Sequence, residues 1–371
     1  MFDLIIIGAG PAGISAAYEA KQHGLSYIVI EKGLIGNTIY NYPVGLTVFS
    51  TINELEINEG ELKPAREKPT REELLSYYVR FVLEHDLNIQ TEETVVEVLS
   101  EPPALAGGKV DNGGSASGDT RSSSANFEPP AYAGGSDTFT VTTDKGTYQS
   151  TNVLFAIGSM DYPRKLNVQG EELPKVFDHF RETYPWVKKR ALIVGGGNSA
   201  GEAALFLAQE GADTTLAIFR DQWENTDPKQ GCIKYWVKQP LENELKEQCL
   251  KLFFLGKVIE IRESEVELES ENGERVILPN DVVFVLIGSD ADLTMLRNLG
   301  VETTQGKGGE VPVYDPDTFE TNVPGVYVAG HFTNQRHIKG AIDAPKVLIP
   351  HISQNRLRQR AARSSGIQDR S

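Results

Sequence analysis

Cysteine is nearly absent. The 371-residue chain has two, Cys232 and Cys249, far apart in sequence. That usage excludes a disulfide framework and fits a reducing compartment, so a cytoplasmic location is expected. No C-x-x-C occurs, so the chain has no paired dithiol for redox work. Positive charge is also short: 36 Lys plus Arg stand against 52 Asp plus Glu, a formal net charge of -16. Such a chain is a poor nucleic-acid ligand, and anionic membrane surfaces repel it. No apolar run is long enough to span a bilayer. The apolar start is too short for a signal peptide and reads as a strand. No nucleic-acid or membrane partner is expected.

Glycine is well supplied, and its placement organises the chain. Leu4-Ile5-Ile6-Ile7 is a continuous apolar run, as in a parallel strand buried on both faces. Gly8-Ala9-Gly10-Pro11-Ala12-Gly13 then fits G-x-G-x-x-G. Gly8 turns the chain, Gly10 lets a pyrophosphate approach the backbone, and Gly13 lets helix and strand pack closely. Pro11 and Ala12 fill the turn between them, where a helix opens and presents free N–H groups to phosphate. Ser15 to Gln22 carries that helix, and Gly24 ends it. Tyr27-Ile28-Val29-Ile30 is the next strand, closed by Glu31 and Lys32. A carboxylate at Glu31 is placed to accept the ribose hydroxyls of an adenosine. The hexapeptide alone is weak evidence; strand, helix and acid at the right spacing make it a dinucleotide cradle.

Lys32 to Ser50 is a loop containing Ile39-Tyr40-Asn41-Tyr42-Pro43, a candidate cover for a flat cofactor ring. Thr70 to His85 reads as a helix. Thr70 and Glu73 form a capping box, and Leu74, Tyr77, Tyr78, Phe81 and Val82 form the apolar face. Leu87 to Ile89 and Thr94 to Leu99 read as strands, with Val96 of the second counted among the cofactor-binding candidates. Residues 101–136 are rich in Gly, Ser, Ala and Pro and read as a disordered insertion in a surface hairpin. Its ends are near-repeats, Pro102 to Gly108 and Pro129 to Gly135, too few for a solenoid. Thr138 to Thr143 and Thr147 to Gln149 resume the strands, and Val153 to Ser159 is an apolar strand ending Ile-Gly-Ser. A linker is expected from Pro163 to Pro185.

The opening pattern then recurs. Arg190 to Val194 is an apolar strand, and Gly195-Gly196-Gly197-Asn198-Ser199-Ala200 fits G-x-G-x-x-A. A helix follows from Gly201 to Gly211, then a strand from Thr214 to Phe219. This strand ends in Arg220, not in an acid. A guanidinium there suits a 2′-phosphate and favours NADPH over NADH. Val282 to Ser289 closes the unit with a second Ile-Gly-Ser. Leu293 to Gly300 reads as a helix, and Gly325 to His331 as a strand returning to the first unit. The expected fold is α/β, with two Rossmann-like dinucleotide-binding domains, the second inserted into the first.

These blocks together (GAGPAG, IEKG, Tyr40 to Pro43, AIGS, GGGNSA with Arg220, and GVYVAG) resemble the low-molecular-weight thioredoxin reductases and related FAD/NAD(P) flavoproteins. The bacillithiol disulfide reductase branch is the most similar. The resemblance covers almost the whole chain except the insertion and a basic tail. It implies FAD in residues 1–160 and 290–355 and NADPH in residues 161–289; the tail, 356–371, reads as flexible from its basic composition. Gly8, Gly10 and Gly13 would hold the FAD pyrophosphate and Glu31 its ribose. Asn41, Tyr42 and the neighbouring Tyr40 would lie near the isoalloxazine. Gly158 would sit at the crossover between domains. Gly330 and His331 would meet the ribityl chain, and Lys339, Gly340 and Ala341 the pyrimidine edge. Gly195, Gly197, Asn198, Ser199, Ala200 and Arg220 would bind NADPH. A homodimer or homotetramer is implied.

Three departures qualify the resemblance. The segment before the second glycine turn, Lys175 to Trp186, lacks the C-x-x-C of thioredoxin reductases. Ala12 stands where the bacillithiol branch often has cysteine, and His331 where many relatives have aspartate. Cys232, between Lys229 and Lys234, could replace the missing thiol, although nothing in the sequence lowers its pKa. Cys249 reads as a buried small residue. No catalytic residue and no metal ligand is assigned. The expected activity passes hydride from NADPH to flavin and electrons to a small disulfide. Two alternatives are an electron transferase serving a ferredoxin or flavodoxin, and a non-catalytic nucleotide sensor.

Overall fold

A computed structural model describes residues 1–101, 138–225, 227, 233–306 and 309–368. Its centre is a five-stranded parallel sheet in the order Val326–Val328, Val153–Phe155, Leu4–Ile7, Tyr27–Ile30, Ile89–Gln90. Side chains alternate across a strand, so one apolar run feeds two cores. Leu4 and Ile6 pack with Ile14, Ala17, Tyr78 and Phe81 from the helices Pro11–Gln22 and Arg71–Glu84. Ile5 and Ile7 face the other way, onto Val98, Phe139 and Val141 of a three-stranded antiparallel sheet.

The second unit repeats these layers. Its sheet runs Arg275–Pro279, Glu265–Ser270, Leu250–Ile261, Asp213–Ile218, Arg190–Val194, Val282–Val285, Val176–Phe177. The pairings from Leu250–Ile261 to Val176–Phe177 are parallel. The long strand Leu250–Ile261 continues into an antiparallel meander with the other two. Ile193 packs on Ala200, Ala204 and Leu207 of the helix Asn198–Gln209, while Leu192 and Val194 pack on Leu255, Val258 and Leu268. All strands of this sheet lie between Phe155 and Val326 in the chain, so one nucleotide fold is threaded into the other, as expected.

The two Ile-Gly-Ser ends meet where the chain crosses between units. Ser289 Oγ donates to the Ser159 carbonyl at 2.7 Å, and Tyr162–Pro163 pairs with Ser289–Asp290. Arg164 clasps Asp290 with two hydrogen bonds of 3.0 and 2.7 Å.

Several boundaries differ from expectation. The linker after Pro163 contributes an edge strand, Val176–Phe177, because its two apolar residues pair with Val283 and Phe284. The last helix, Ile338–Gln368, continues past the expected start of the tail. Arg356 is tied down there by Asp3 at 2.9 Å and by the Gly24 carbonyl at 2.9 Å. The insertion, apart from Glu101, lies outside the described residues. Glu101 pairs with Thr138, so the insertion joins two strands of a hairpin.

Candidate functional site

The first glycine turn is shaped for a close-approaching ligand. Gly8 has φ +106°, and a Cβ there would lie 2.6 Å from the Ala156 carbonyl oxygen. A Cβ on Gly13 would overlap the Gly8 carbonyl oxygen, so helix and strand meet too closely for any side chain. A Cβ on Gly10 would meet nothing within 4 Å. The helix starting at Pro11 has no side-chain cap, so its first amides stay open toward that space. The turn therefore fits a pyrophosphate. Ala12 is 4% exposed and faces Gly330.

Glu31 does more than close its strand. It is 7% exposed; Oε2 accepts the Ala9 N–H at 2.7 Å and Oε1 accepts the Gly33 N–H at 2.7 Å. The carboxylate thus braces the glycine turn, and each oxygen keeps a lone pair for a hydroxyl. Lys32 pairs with Asp161 at 2.9 Å. Gly158, at φ +73°, turns the chain at the crossover. His331 Nδ1 lies 2.5 Å from Ser159 Oγ. His331 is exposed, but partial loss of water around the ring, then the charges of Arg336 and His337, hold its pKa below the usual imidazole value, so the neutral ring predominates at pH 7. Lys339 pairs with Asp343, Gly340 lies against Gln335, and Ala341 is buried. Val96 stands apart at 57% exposure, on the outer face of its strand, while its neighbour Val95 is buried.

The second turn has the same geometry. Gly195 has φ +150°, a Cβ there would overlap the Leu286 carbonyl oxygen, and Gly197 faces open space. Asn198 Oδ1 accepts the Lys234 N–H at 2.8 Å, Ser199 is exposed, and Ala200 is fully buried. Arg220 is already engaged. Its Nε donates to Glu271 at 2.7 Å, Nη2 to the other Glu271 oxygen and Nη1 to Glu224 at 3.1 Å. Its guanidinium carbon lies 3.7 Å from the Phe254 ring centroid.

Between the cradles, the loop containing Tyr40, Asn41 and Tyr42 meets the second unit. Asn41, exposed, follows the short helix Asn37–Tyr40. The Val44 N–H donates to the Arg181 carbonyl at 2.7 Å. Phe49 stacks on Trp236. Burial, then the nearby Glu202, raises the Tyr42 pKa. Burial pushes the Glu202 carboxyl up to about 7. Glu202 and Arg181 are contributors that motif reading missed. The signal for Glu202 was an acid set among small residues in Gly201-Glu202-Ala203-Ala204.

Of the two cysteines, Cys232 lies outside the described residues. Cys249 is exposed, not buried as expected. It follows the end of the helix Tyr235–Lys246, in a turn where Gln248 has φ +60°, and so falls just short of the buried strand residue Leu250. No described helix is long and apolar enough to cross a membrane.

The pyridine nucleotide-disulphide oxidoreductase family model matches residues 5–103 and 133–330, and the chain belongs to that family. It is accordingly an oxidoreductase that uses a flavin and a pyridine nucleotide. It is 33% identical over 326 residues, 88% of either chain, to the bacilliredoxin reductase Bdr of Bacillus subtilis (strain 168). The solved bacillithiol disulfide reductase Bdr (YpdA) of Staphylococcus aureus superposes with a TM-score of 0.79 at 30% identity, covering 95% of this chain and 98% of that one. A ferredoxin–NADP reductase of Ignicoccus hospitalis is 28% identical over 337 residues, 90% of either chain.

Proposed function

We propose that this protein is an FAD-dependent reductase that uses NADPH to reduce a low-molecular-weight disulfide of the bacillithiol type. The overall reaction is NADPH + H⁺ + RSSR → NADP⁺ + 2 RSH. The observation that carries this reading is the pair of open glycine turns joined by the Tyr40–Tyr42 loop. The similarity to two Bdr proteins over most of the chain supports the choice of acceptor.

In this reading residues 1–160 and 290–355 hold FAD. Gly8, Gly10, Pro11, Ala12 and Gly13 cradle its pyrophosphate, and Glu31 takes its ribose with Lys32 beside it. Asn41, Tyr42, Gly158, Gly330, His331, Lys339, Gly340 and Ala341 surround the remainder, and Val96, on the outer face of its strand, drops out of the set. Residues 161–289 hold NADPH, with its phosphates at Gly195, Gly197, Asn198, Ser199 and Ala200 and its 2′-phosphate at Arg220. The bound cofactors supply hydride transfer. The protein positions them and sets the charge around them. Neutral His331 shares a hydrogen bond with the Ser159 hydroxyl, which holds it at the crossover. Glu202 keeps a proton to about pH 7 beside Tyr42 and can hold or yield it there. With Ala12 in the turn and no C-x-x-C, no side-chain thiol at those positions forms a mixed disulfide. The acceptor takes its electrons without one.

A ferredoxin–NADP reductase activity is the second reading, favoured by that same absence of redox cysteines. Anaerobic mixing with NADPH separates the two. Flavin bleaching followed by reoxidation with bacillithiol disulfide supports the disulfide reductase. Reoxidation by ferredoxin or flavodoxin alone replaces it with the second. No bleaching sinks both.

A further inference from the structure

We propose that Arg181 and Arg71, both set beside Tyr40, form a seat for a carboxylate of the disulfide substrate. This rests on the function proposed above.

The two guanidinium carbons lie 4.4 Å (Arg181) and 5.4 Å (Arg71) from the Tyr40 ring centroid. Arg181 hydrogen-bonds the Tyr40 hydroxyl and with its charge draws that pKa down. Arg71 is buried at 7% exposure; Nη2 donates to the Tyr40 carbonyl, Nη1 donates to Glu72 at 2.8 Å, and Nε has no partner. Asn41, the next residue along, is exposed. Two elements of the first unit, the loop and the start of the helix Arg71–Glu84, thus converge with Arg181 of the second.

Charge completes the argument. Arg71 has the Glu72 carboxylate, but Arg181 makes no ion pair among the described residues. Among the described residues the Arg181 charge at Tyr40 is thus left without a carboxylate, in a chain of net charge -16. Glu202, facing Tyr42, is held toward its neutral form by burial and opposes an incoming anion less than an ordinary glutamate. A guanidinium fork matches a carboxylate or a phosphate oxygen pair. The nucleotide phosphates already have the uncapped helix start and the open Gly197. The anion left without a place is one carried by the acceptor.

The test uses the flavin-loaded protein with three acceptors: bacillithiol disulfide, dithiodipropionate with two carboxylates, and hydroxyethyl disulfide with none. Arg181→Ala is expected to raise KM for the two acidic disulfides about tenfold, the loss of one charge-assisted pair, and that for hydroxyethyl disulfide less than about twofold. Arg181→Lys keeps the charge but loses the fork, and falls between. An equal rise for all three acceptors overturns the proposal, because Arg181 then only holds the loop. A change in KM for NADPH or in the rate of flavin bleaching, in place of the acceptor effect, assigns the seat to a nucleotide phosphate and also overturns it. Calorimetric titration of the same disulfides reads affinity without turnover. Arg181-dependent binding of dithiodipropionate without turnover supports the seat and sinks the disulfide reductase. Turnover with KM and affinity indifferent to Arg181 keeps the reductase and sinks the seat. Absence of both binding and turnover sinks both.

Discussion

The rings of Phe49 and Trp236 lie 3.2 Å apart, centroid to centroid, with planes 5° from parallel. Phe49 lies near the end of the loop that carries Tyr40 to Tyr42, and Trp236 belongs to the helix Tyr235–Lys246 of the second unit. Lys68 Nζ sits 3.5 Å from the Phe49 centroid. The stack therefore ties the two nucleotide folds together at the loop expected to lie on the flavin. Phe49→Ala and Trp236→Ala, measured singly and together in thermal melts of the flavin-loaded protein, are expected to be non-additive by about 0.5–1.5 kcal/mol. Strict additivity would mean that the rings do not act as a pair.

The function proposed above places the 2′-phosphate of NADPH at Arg220, which Glu271 already holds. Three guanidinium nitrogens are committed to carboxylates, and a 2′-phosphate has to compete with Glu271 for the fork. Glu271→Gln is expected to lower KM for NADPH while leaving that for NADH unchanged. Arg220→Ala is expected to cost about tenfold in kcat/KM for NADPH and little for NADH. If Glu271→Gln favours NADH instead, the phosphate does not sit at Arg220.

The first turn admits a sharper test. A Cβ on Gly13 has nowhere to go except into the Gly8 carbonyl oxygen. Gly13→Ala is expected to yield protein without flavin colour. Glu31→Gln replaces one acceptor with a donor facing the Ala9 or Gly33 N–H. It is expected to weaken flavin retention about tenfold, read from the flavin fluorescence lost on gel filtration. Undiminished flavin binding in both variants would place the cofactor elsewhere.

The fold was legible because both glycine turns are local. Gly13 meets the carbonyl of Gly8 within the same turn, and although Gly8 and Gly195 meet the distant Ala156 and Leu286, their glycine spacing and the flanking apolar runs are carried by the local sequence. The helix Arg71–Glu84 was legible for the same reason, through its Thr70–Glu73 capping box. What the sequence did not show depends on contacts between distant segments. Nothing near Arg220 announces Glu271, 51 residues on. Nothing in the loop after Tyr42 announces Arg181 or Trp236. The edge strand Val176–Phe177 is hidden in the sequence because two apolar residues have no periodicity; its partner Val282–Val285 supplies the order. Cys249 was misplaced by one residue's shift at a helix end, where boundaries are least certain from pattern alone.

Glu202 gives the protein a predictable response to pH. Burial raises its folded pKa from 4.5 to about 7. Between those values the folded protein holds a proton that the unfolded chain has released, so stability falls as pH rises across that window. The stabilising contribution is complete below the unfolded value and gone once pH has passed the folded one. Glu202→Gln keeps the shape and cannot ionise. Melting temperatures of wild type and variant are expected to lie close together near pH 5 and to separate by about pH 8, with the variant the more stable. Curves that stay parallel across this range would mean that Glu202 titrates like an exposed carboxylate, and the neutral group assigned beside Tyr42 would be lost with it.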